Sequence, residues 1–425
     1  MANDFSKEER VAFEQLLEGF EDACLLSKTA KVYKTDQVTM ERSNDVIWRP
    51  QPYISQSFEG TDQTANFKEY TQLSVPARIS FSRSVPWTMT ARELRDSLQE
   101  KRLGESAKQK LASDINVAIM NVAAMQGTLV VKRTAPASGF DDIAMCESIM
   151  NEQGIPFEDR FVALSTRDYN GMASNLQQAS RSFGNKKSDG AYERAYVGRV
   201  ASFDTLKLDW AVRQKAAAGG SATINTTANA GMNYVPRATS TAVTGETANV
   251  DNRFQDVTVS STTGVKAGDC FTIAGVMAVH HITKQSTGQP KTFRVVEVKN
   301  GTTMTISPPL ITNNGNGASD AAAEYQNCVV ETESATAAIS WLNTADTFLN
   351  PFWQKDAIEL LPGRYAIPTN AGTAVIRANT EQGIEVVMQK WYDINTMKIK
   401  YRLDTLFGVC NKQPEMSGVI LFGQV

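Results

Sequence analysis

One run of helical periodicity constrains this chain more than any other feature. Apolar residues recur at three- and four-residue steps from Ala107 to Met125, and neither glycine nor proline occurs between Gly104 and Gly127. The pattern predicts a helix over residues 104–126, about 35 Å long at ~1.5 Å per residue, that ends at Gly127. So long a helix beside a β-rich remainder is unusual for a compact enzyme and favours a protein that works through packing surfaces.

The rest of the chain mixes short strand and helix patterns, which indicates an α+β fold. Residues 250–308 have strand patterns only, with turn signals between the runs. Small and polar residues at Ala216–Ala230 and 311–323 have the composition of linkers. An all-β segment framed in this way predicts an inserted domain. The chain closes on three strand-like runs, Ile384–Met388, Met397–Leu403 and Gly418–Phe422.

Charge and residue counts argue against several classes of protein. With 43 Lys+Arg against 46 Asp+Glu the net charge is −3, so a dedicated nucleic-acid binder is not expected. No run approaches the ~20 apolar residues of a membrane span, and the first residues lack a signal-peptide pattern. Five scattered cysteines without a C-x-x-C pair indicate reduced, mostly buried thiols in a cytoplasmic environment.

No motif in the chain predicts catalysis, a metal or a cofactor. The two histidines, His280 and His281, would point to opposite faces of a strand and therefore could not bind one metal. Gly184–Ser188 lacks the second glycine and the preceding strand of a phosphate loop. Asp141 is expected to cap a helix that starts there. We therefore expect no catalytic, metal-binding or cofactor-binding residues. An enzyme that uses carboxylates stays open as a hypothesis, and a cleft containing acids with shifted pKa values would distinguish it.

The N-terminal residues predict an amphipathic helix with an acidic face. Val11, Phe13 and Phe20 repeat at helical spacing, and Glu14 and Glu18 lie one turn apart on the opposite side. From charge alone two interpretations are open. The acidic face is either simply solvated or a docking surface for a basic partner.

Several short motifs follow one another over most of the chain. They are Met40–Ser43 with Ile47–Pro50, Leu94–Asp96 with Asn121–Gly127, the long stretch Val250–Val276, and Asn350–Trp353. In this order they resemble the coat proteins of short-tailed, P-twenty-two-like tailed bacteriophages. The first pair resembles the start of that family's first strands and the second its long spine helix. The long stretch resembles the start of an inserted β-domain, and the last motif the return to the parent fold.

The resemblance implies a Hong Kong 97-like capsid fold with an inserted all-β, barrel-like domain. Residues 1–32 would be an N-terminal arm helix, and 33–165 a peripheral domain with an extended loop at about 50–80 and the spine helix at about 104–126. Residues 166–222 and 344–395 would form the axial domain, and 223–343 the inserted β-domain. The last residues, 396–425, would be C-terminal strands that return to the peripheral domain.

The resemblance also implies a function, that of a major capsid protein of a tailed double-stranded DNA phage. Such a chain would assemble with a scaffolding protein into an icosahedral procapsid of hexamers and pentamers that expands on DNA packaging. Its partners would be itself, the scaffolding protein, the portal protein and, non-specifically, the packaged DNA, with no membrane. It would occupy the virion, and the host cytoplasm during assembly. The alternative is a surface adhesin or carbohydrate-binding β-module, although neither repeats nor an export signal is present.

Site residues follow from the resemblance position by position. In the family an acidic residue of the N-terminal helix meets the scaffolding protein, and Glu14 matches it, with Glu18 beside it. An acidic loop of the inserted domain pairs with a basic residue near the neighbour's spine helix, and Lys101 and Arg102 lie near that basic position. The matching loop, Ala238–Asn249, departs from the pattern because its only acid is Glu246. Asp251 lies just beyond it. We therefore predict inter-capsomer contacts at Lys101, Arg102, Glu246 and Asp251, and no covalent cross-links.

Overall fold

The fold is that of a computed structural model of the chain. The structure describes residues 5, 9–11, 13–14, 20, 23–33, 46–52, 57–64, 66–67, 69–90, 97–180, 198–208, 210–227, 232–367 and 373–425. For residues 97–103 and 174–180 the description covers the backbone alone.

Besides the helical residues of the N-terminal arm, the described residues contain four α-helices and twenty-five strands. The helices are α1 (Ser97–Gln126), α2 (Phe140–Glu152), α3 (Thr166–Ser180) and α4 (Asp320–Tyr325). The strands of the first half are β1 (Lys31–Val32), β2 (Ile47–Pro50), β3 (Ser74–Ala77), β4 (Phe81–Thr90), β5 (Leu129–Lys132), β6 (Arg160–Ser165), β7 (Arg199–Val200), β8 (Phe203–Leu208), β9 (Arg213–Gln214), β10 (Thr223–Ile224), β11 (Thr239–Thr241) and β12 (Thr247–Asn249). Those of the second half are β13 (Gln255–Thr258), β14 (Cys270–Val279), β15 (Ser286–Val298), β16 (Thr303–Ser307), β17 (Cys328–Val330), β18 (Ala337–Trp341), β19 (Thr347–Phe348), β20 (Asn350–Gln354), β21 (Ile358–Pro362), β22 (Ala374–Asn379), β23 (Glu385–Asp393), β24 (Lys398–Asn411) and β25 (Ser417–Leu421).

The chain divides into two compact units, each built from three segments. The arm–sheet unit comprises Met1–Ile47, Ala77–Val122 and Ile358–Cys410. The barrel unit comprises Trp48–Pro76, Ala123–Ala357 and Asn411–Val425. The domain boundaries proposed from the sequence stay predictions, and the two units are described separately below.

A six-stranded sheet forms the framework of the arm–sheet unit. Its order is β1-β21-β24-β23-β22, with β4 also paired to β24. Strands β1 and β21 run parallel, and β22, β23, β24 and β4 form antiparallel pairs. Trp87 on β4 lies opposite Tyr401 on β24, and the two rings stack with centroids 5.5 Å apart. Such aromatic cross-strand pairs stabilise antiparallel ladders. The predicted strands near residues 384–388 and 397–403 are present here as β23 and β24.

Helix α1 is longer than its periodicity predicted. It begins at Ser97 instead of residue 104 and ends at Gln126, so Gly104 lies inside the helix. An interior glycine costs only about 1 kcal/mol relative to alanine, too little to end a helix that is continued on both sides. Within the arm–sheet unit, Asn116 of α1 donates to the Ala23 carbonyl over 2.9 Å and accepts from the Leu26 amide over 3.2 Å. These bonds fix the end of the N-terminal arm on the helix.

The barrel unit contains a second six-stranded sheet, in the order β5-β25-β20-β6-β8-β7. Helices α2 and α3 cover it over a core that includes Ile143, Met172 and Phe352. The residue that caps α2 is Asp142, which corrects the assignment to Asp141. The Asp142 carboxylate accepts from the backbone amides of Ser138 and Gly139 over 2.7 and 3.1 Å, because the third helical position can reach back to them.

The same unit holds a β-barrel. Six strands follow one another as β10-β18-β14-β15-β16-β13, β17 pairs with β14, and a bridge between Ile224 and Val259 returns the sheet to its start. Phe271 and Phe293 stack across β14 and β15 with ring centroids 5.6 Å apart and are fully buried. Closing the ring removes the open edges of a flat sheet.

Both stretches read as linkers are packed structure, which corrects that interpretation. The first contains β10, whose Ile224 is buried in the barrel core. The second buries Ile311 and Ala322 and enters helix α4, which is capped by the Ser319 hydroxyl accepting from the Ala322 amide over 3.0 Å. Small side chains let two backbone segments approach closely. A composition typical of linkers therefore also suits segments that pack tightly against their neighbours.

Candidate assembly surfaces

The N-terminal arm presents Glu14 to solvent and its aromatic residues to the interior. Residues 9–11, 13, 14, 20 and 23 are helical, Phe13 and Phe20 are buried, and Glu14 beside them is exposed. Val11, expected on the apolar face, is 47% exposed, which corrects that expectation. Glu18 lies outside the described residues. The docking role predicted for these two acids stays a prediction.

A second acid of the arm is used inside the chain. The Glu9 carboxylate accepts from the Lys390 ammonium over 2.5 Å and from the Tyr401 hydroxyl over 3.2 Å. Lys390 also lies over the rings of Phe5 and Tyr401, 5.7 and 5.9 Å from their centroids. All four groups belong to the arm–sheet unit. This ion pair is sheltered from solvent and positions the arm on β23 and β24. No local pattern predicts it, because Glu9 and Lys390 are 381 residues apart.

The basic pair of the predicted inter-capsomer contact lies in the first turns of α1. Lys101 and Arg102 are helical, and their side chains lie outside the description. Their contact role therefore stays a prediction. The helix places them on the portion of α1 that belongs to the arm–sheet unit.

The acidic side of that contact is a hairpin formed by β11 and β12. Five residues, Ala242–Glu246, join the strands; Val243, Thr244 and Gly245 form the turn, and Gly245 has a φ of +85°. Its amide donates to the Ala242 carbonyl over 2.9 Å, and the Ala242 amide donates to the Glu246 carbonyl over 2.8 Å. A three-residue turn of this kind needs a left-handed residue at its third position, which glycine adopts without strain. Glu246 is exposed at the end of the turn.

Asp251, the other predicted acid, is paired within the barrel unit. The Arg253 guanidinium binds its carboxylate in a bidentate manner, with nitrogen–oxygen distances of 2.9 and 2.6 Å. The same guanidinium donates to the Asn411 carbonyl over 2.8 Å. A fork of this geometry satisfies both carboxylate oxygens. The structure thus separates the two acids: Glu246 is exposed and Asp251 is held by Arg253.

Two groups of exposed apolar side chains escaped the sequence reading. In the barrel unit, the stretch between β2 and β3 exposes Phe58, Tyr70 and, at 86%, Phe67. In the arm–sheet unit, Ile394 is 80% exposed in the turn between β23 and β24, beside exposed Trp391 and Met397. Large apolar and aromatic side chains dominate the energetics of protein interfaces. The sequence shows aromatic residues between the patterns of β2 and β3, but such a pattern does not indicate which of these side chains face solvent.

The histidines lie in a turn instead of a strand, because β14 ends at Val279. The His280 Nδ1 accepts from the amides of Ile282 and Thr283 over 3.3 and 3.2 Å, while the His281 Nε2 is shielded from solvent. Over the described part of the chain, no three His, Cys, Asp or Glu side chains converge on a position for a metal ion. Nor does any described helix combine the length and apolar character needed to cross a membrane.

A family model described as P22 coat protein, gene protein 5, matches residues 1–423. Among solved structures, the chain resembles that of Mycobacterium phage Che8, with 9% identity, 91% of each chain covered and a TM-score of 0.42. It also resembles the capsid of cyanophage P-SCSP1u, with 10% identity, 93% of this chain and 87% of that chain covered, and a TM-score of 0.43. The CUS-3 coat protein I-domain shares 38% identity over 30% of this chain and 98% of its own, with a TM-score of 0.22.

The assignment rests on the family model, which spans almost the whole sequence. It decides between the two main function classes that the sequence left open, capsid protein and adhesin. Capsid proteins assemble with copies of themselves and are components of the virion. The chain belongs to the P22 coat protein family and is a major capsid protein.

Proposed function

We propose that this capsid protein assembles in the host cytoplasm with a scaffolding protein into an icosahedral procapsid, and that the shell expands as DNA is packaged. Portal protein occupies one position, and the packaged DNA touches the shell only non-specifically. The division into arm, peripheral, axial and inserted β-domains of a Hong Kong 97-like fold belongs to the same proposal. A net charge of −3 supports it, since a shell that must admit DNA gains nothing by binding it tightly.

The observation that carries the scaffolding contact is the orientation of the arm. Phe13 is buried while its neighbour Glu14 is exposed, and Glu9 is bound to Lys390. An arm anchored on both sides of Glu14 can hold that carboxylate outward without further ordering. A basic helical segment of a scaffolding protein is the chemistry such a carboxylate would bind. Because an exposed ion pair contributes only about 0–1 kcal/mol, the contact acts through repetition over many subunits.

The test is co-expression with and without a candidate scaffolding protein, followed by negative-stain microscopy and sedimentation. We expect closed shells of uniform diameter mainly when scaffold is present. A chain that stays a monodisperse monomer under both conditions contradicts the proposal.

Charge reversal at Glu14 tests the arm itself. Glu14→Lys should lower the yield of scaffold-dependent shells at least fivefold, because a cation there repels a basic partner, while the far-UV circular dichroism of the monomer stays unchanged. Glu333→Lys is the matched control, since Glu333 is also exposed but lies in the barrel unit. Shell yields that are equal for Glu14→Lys, Glu333→Lys and the unaltered chain reject the assignment.

A further inference from the structure

Within the barrel unit, the barrel and the six-stranded sheet meet along a seam held by polar contacts. The turn that joins β14 to β15 lies against the end of α2, where the His281 amide donates to the Gln153 carbonyl over 3.0 Å. Next to it, a Cβ on Gly154 would lie 2.7 Å from the His280 ring. The turn is therefore in direct contact with the sheet side of the seam.

One ion pair, which we call the seam pair, crosses this seam out of reach of solvent. The Lys291 ammonium of β15 donates to the carboxylate of Glu415, which lies in the 3₁₀ turn Pro414–Met416 before β25. The two side chains are 1% and 12% exposed. A buried charge is tolerated only while its partner neutralises it, and loss of one partner leaves the other charge uncompensated. The seam pair therefore holds the barrel to the sheet only while both groups are ionised.

Further titratable groups of the barrel surround the seam pair. The Lys284 ammonium, from the turn between β14 and β15, donates to the Glu324 carbonyl of α4 over 2.7 Å and to the Gln326 carbonyl over 3.3 Å. The groups that interact electrostatically with the seam pair or its neighbours are His280, His281, Lys284, Glu324, the buried Cys328 thiol and, beside Glu324, the exposed Asp320.

At pH 7 the charges around the seam pair balance. Lys291 and Lys284 are cations, since burial lowers the pKa of Lys284 only to about 8, and Glu415 and Glu324 are the facing carboxylates. His281 is neutral, because burial lowers its pKa to about 4. Burial by itself would raise the pKa of Glu415, but Lys291 and the neighbouring bases bring that pKa below its ordinary value.

Acid removes this balance. The lowered pKa values of His281 and Glu415 mean that both groups take up protons more readily once they are in water, so falling pH favours an open seam. Glu324 acts in the opposite direction, since burial raises its pKa and its protonation relieves a cost of burial. When all three are protonated, Lys291, Lys284 and His281 are positive and no carboxylate of the seam pair opposes them.

The apolar contact across the seam is small. In the apolar cluster that spans it, the barrel strands contribute the buried Cys270, and the other buried members lie outside those strands. The barrel has its own core around Phe271 and Phe293, and the sheet has its own around Ile143 and Phe352. Neither core contains the seam pair. Proteins open locally where few apolar contacts hold two cooperative units together.

We propose that the Lys291–Glu415 pair is an acid-sensitive latch, which in acid lets the barrel separate from the six-stranded sheet while both keep their folds. The separated state places Lys291, Lys284 and His281 in water, where their charges are no longer forced together. The latch lies within a single chain, so it acts in the monomer and needs neither scaffolding protein nor a second copy.

Two native cysteines report on the latch in the full-length monomer. Cys270 is buried at the seam, whereas Cys146 is buried in the core of the sheet. The monomer is treated at pH 7 and pH 3.5 with a dithiodipyridine, which labels thiols in acid, and peptide mass spectrometry locates the label. Relative to a small-molecule thiol at the same pH, we expect labelling of Cys270 to be at least tenfold faster at pH 3.5. Cys146 should stay protected, and the far-UV circular dichroism should not change.

Substitutions of the seam pair test the cause of the opening. Glu415→Gln leaves Lys291 without an anion, so Cys270 should be labelled at least tenfold faster even at pH 7. The double variant Lys291→Met/Glu415→Leu replaces the ion pair with apolar side chains of similar size, which buried sites tolerate. Its labelling should rise less than threefold in acid. Lys299→Met is the matched control, because it breaks the exposed pair with Asp256 and should open in acid like the unaltered chain.

Three results overturn the inference. Labelling of Cys270 and Cys146 at the same pH would show that the whole unit unfolds, and a Cys270 that stays protected at pH 3.5 would show that the seam does not open. A double variant that opens in acid as readily as the unaltered chain would show that the seam pair is not the latch. If Glu415→Gln does not fold, the acid series on the unaltered chain and on the double variant still decides.

Discussion

The protonation state of His281 is set by its surroundings in the barrel unit. Its amide donates to the Gln153 carbonyl over 3.0 Å, and its Nε2 is shielded from solvent without a hydrogen-bond partner. Burial lowers the pKa of the imidazole from 6.5 to about 4. The nearby Glu415 carboxylate acts in the opposite direction and raises that pKa. Three basic side chains lower it further: Lys291, Lys284 and His280. The ring is therefore neutral at pH 7.

The lowered pKa of His281 makes the folded chain sensitive to acid. Between pH 6.5 and about 4 the unfolded chain binds a proton that the folded chain does not, so this stability is complete above pH 6.5 and lost as the pH falls to about 4. Each pKa unit is worth about 1.4 kcal/mol. Although Nε2 is shielded, the residue as a whole is only half-buried, so solvent screening reduces the loss in the free energy of unfolding to about 2 kcal/mol. Urea unfolding at pH 7 and pH 4.5 measures it. His281→Gln should flatten the difference, whereas an equal difference in the variant contradicts the assignment.

At the level of elements, the C-terminus of α1 depends on a residue from the barrel. The last turn of this helix has no basic residue of its own. Arg294 of β15, fully buried, donates through Nη1 to the carbonyls of Ala124 and Gly127, the latter over 3.1 Å, and through Nε to that of Gly268 over 3.2 Å. The final carbonyls of a helix lack partners within the helix, and a cation there also interacts favourably with the helix dipole.

Removal of this guanidinium should destabilise the barrel unit. Arg294→Met keeps most of the side-chain volume and leaves several carbonyls without a donor, so we expect a loss of about 3 kcal/mol in the free energy of unfolding. Amide hydrogen exchange should also speed up in the last turn of α1. Arg213→Met is the control, because Arg213 forms an exposed pair with Asp346 at 3.4 Å and should cost at most ~1 kcal/mol. Equal effects of the two substitutions would show that Arg294 has no capping role.

The sequence predicted elements better than their partners. The periodicity of α1 and the runs that became β23, β24 and β25 were visible because side-chain repeats of 3.6 or 2 residues lie within one segment. The helix end at Gly127 was also predicted. The structure gives a further reason for glycine at this position, which the sequence pattern did not predict. A Cβ on residue 127 would lie only 2.9 Å from the Gly418 amide nitrogen. Composition misled at 216–230 and 311–323, where segments rich in small and polar residues contain β10 and the start of α4.

At the scale of the whole molecule, the thiols are withdrawn from any contact between copies. All five cysteines are free and buried. Burial also raises the pKa of the Cys328 thiol to about 12 and that of the Cys146 thiol well above its ordinary value, so neither is a reactive thiolate at pH 7. Contacts within the shell are therefore expected to be non-covalent and individually weak.

A denaturing gel tests this expectation directly. Purified shells, denatured without reductant, should run as a single band at the 46.5 kDa of the monomer, because neither disulfides nor other cross-links join the copies. Shells treated with a lysine-reactive bifunctional cross-linker serve as a positive control for the detection of multimers. A ladder of multimers from the unaltered chain would contradict the prediction.

The sequence by itself determined the α+β class, the long helix and the scarcity of motifs for chemistry, since each depends on residue types and on repeats within short segments. The tertiary structure alone decided which residues act together. It paired β1 with β21 across more than 300 residues, placed Glu9 beside Lys390 and Arg294 beside the Gly127 carbonyl, and left Glu14 and the hairpin exposed. Hydrogen bonds and ion pairs require their atoms within about 3 Å. The folded path of the chain brings these distant atoms together, and local sequence does not specify that path.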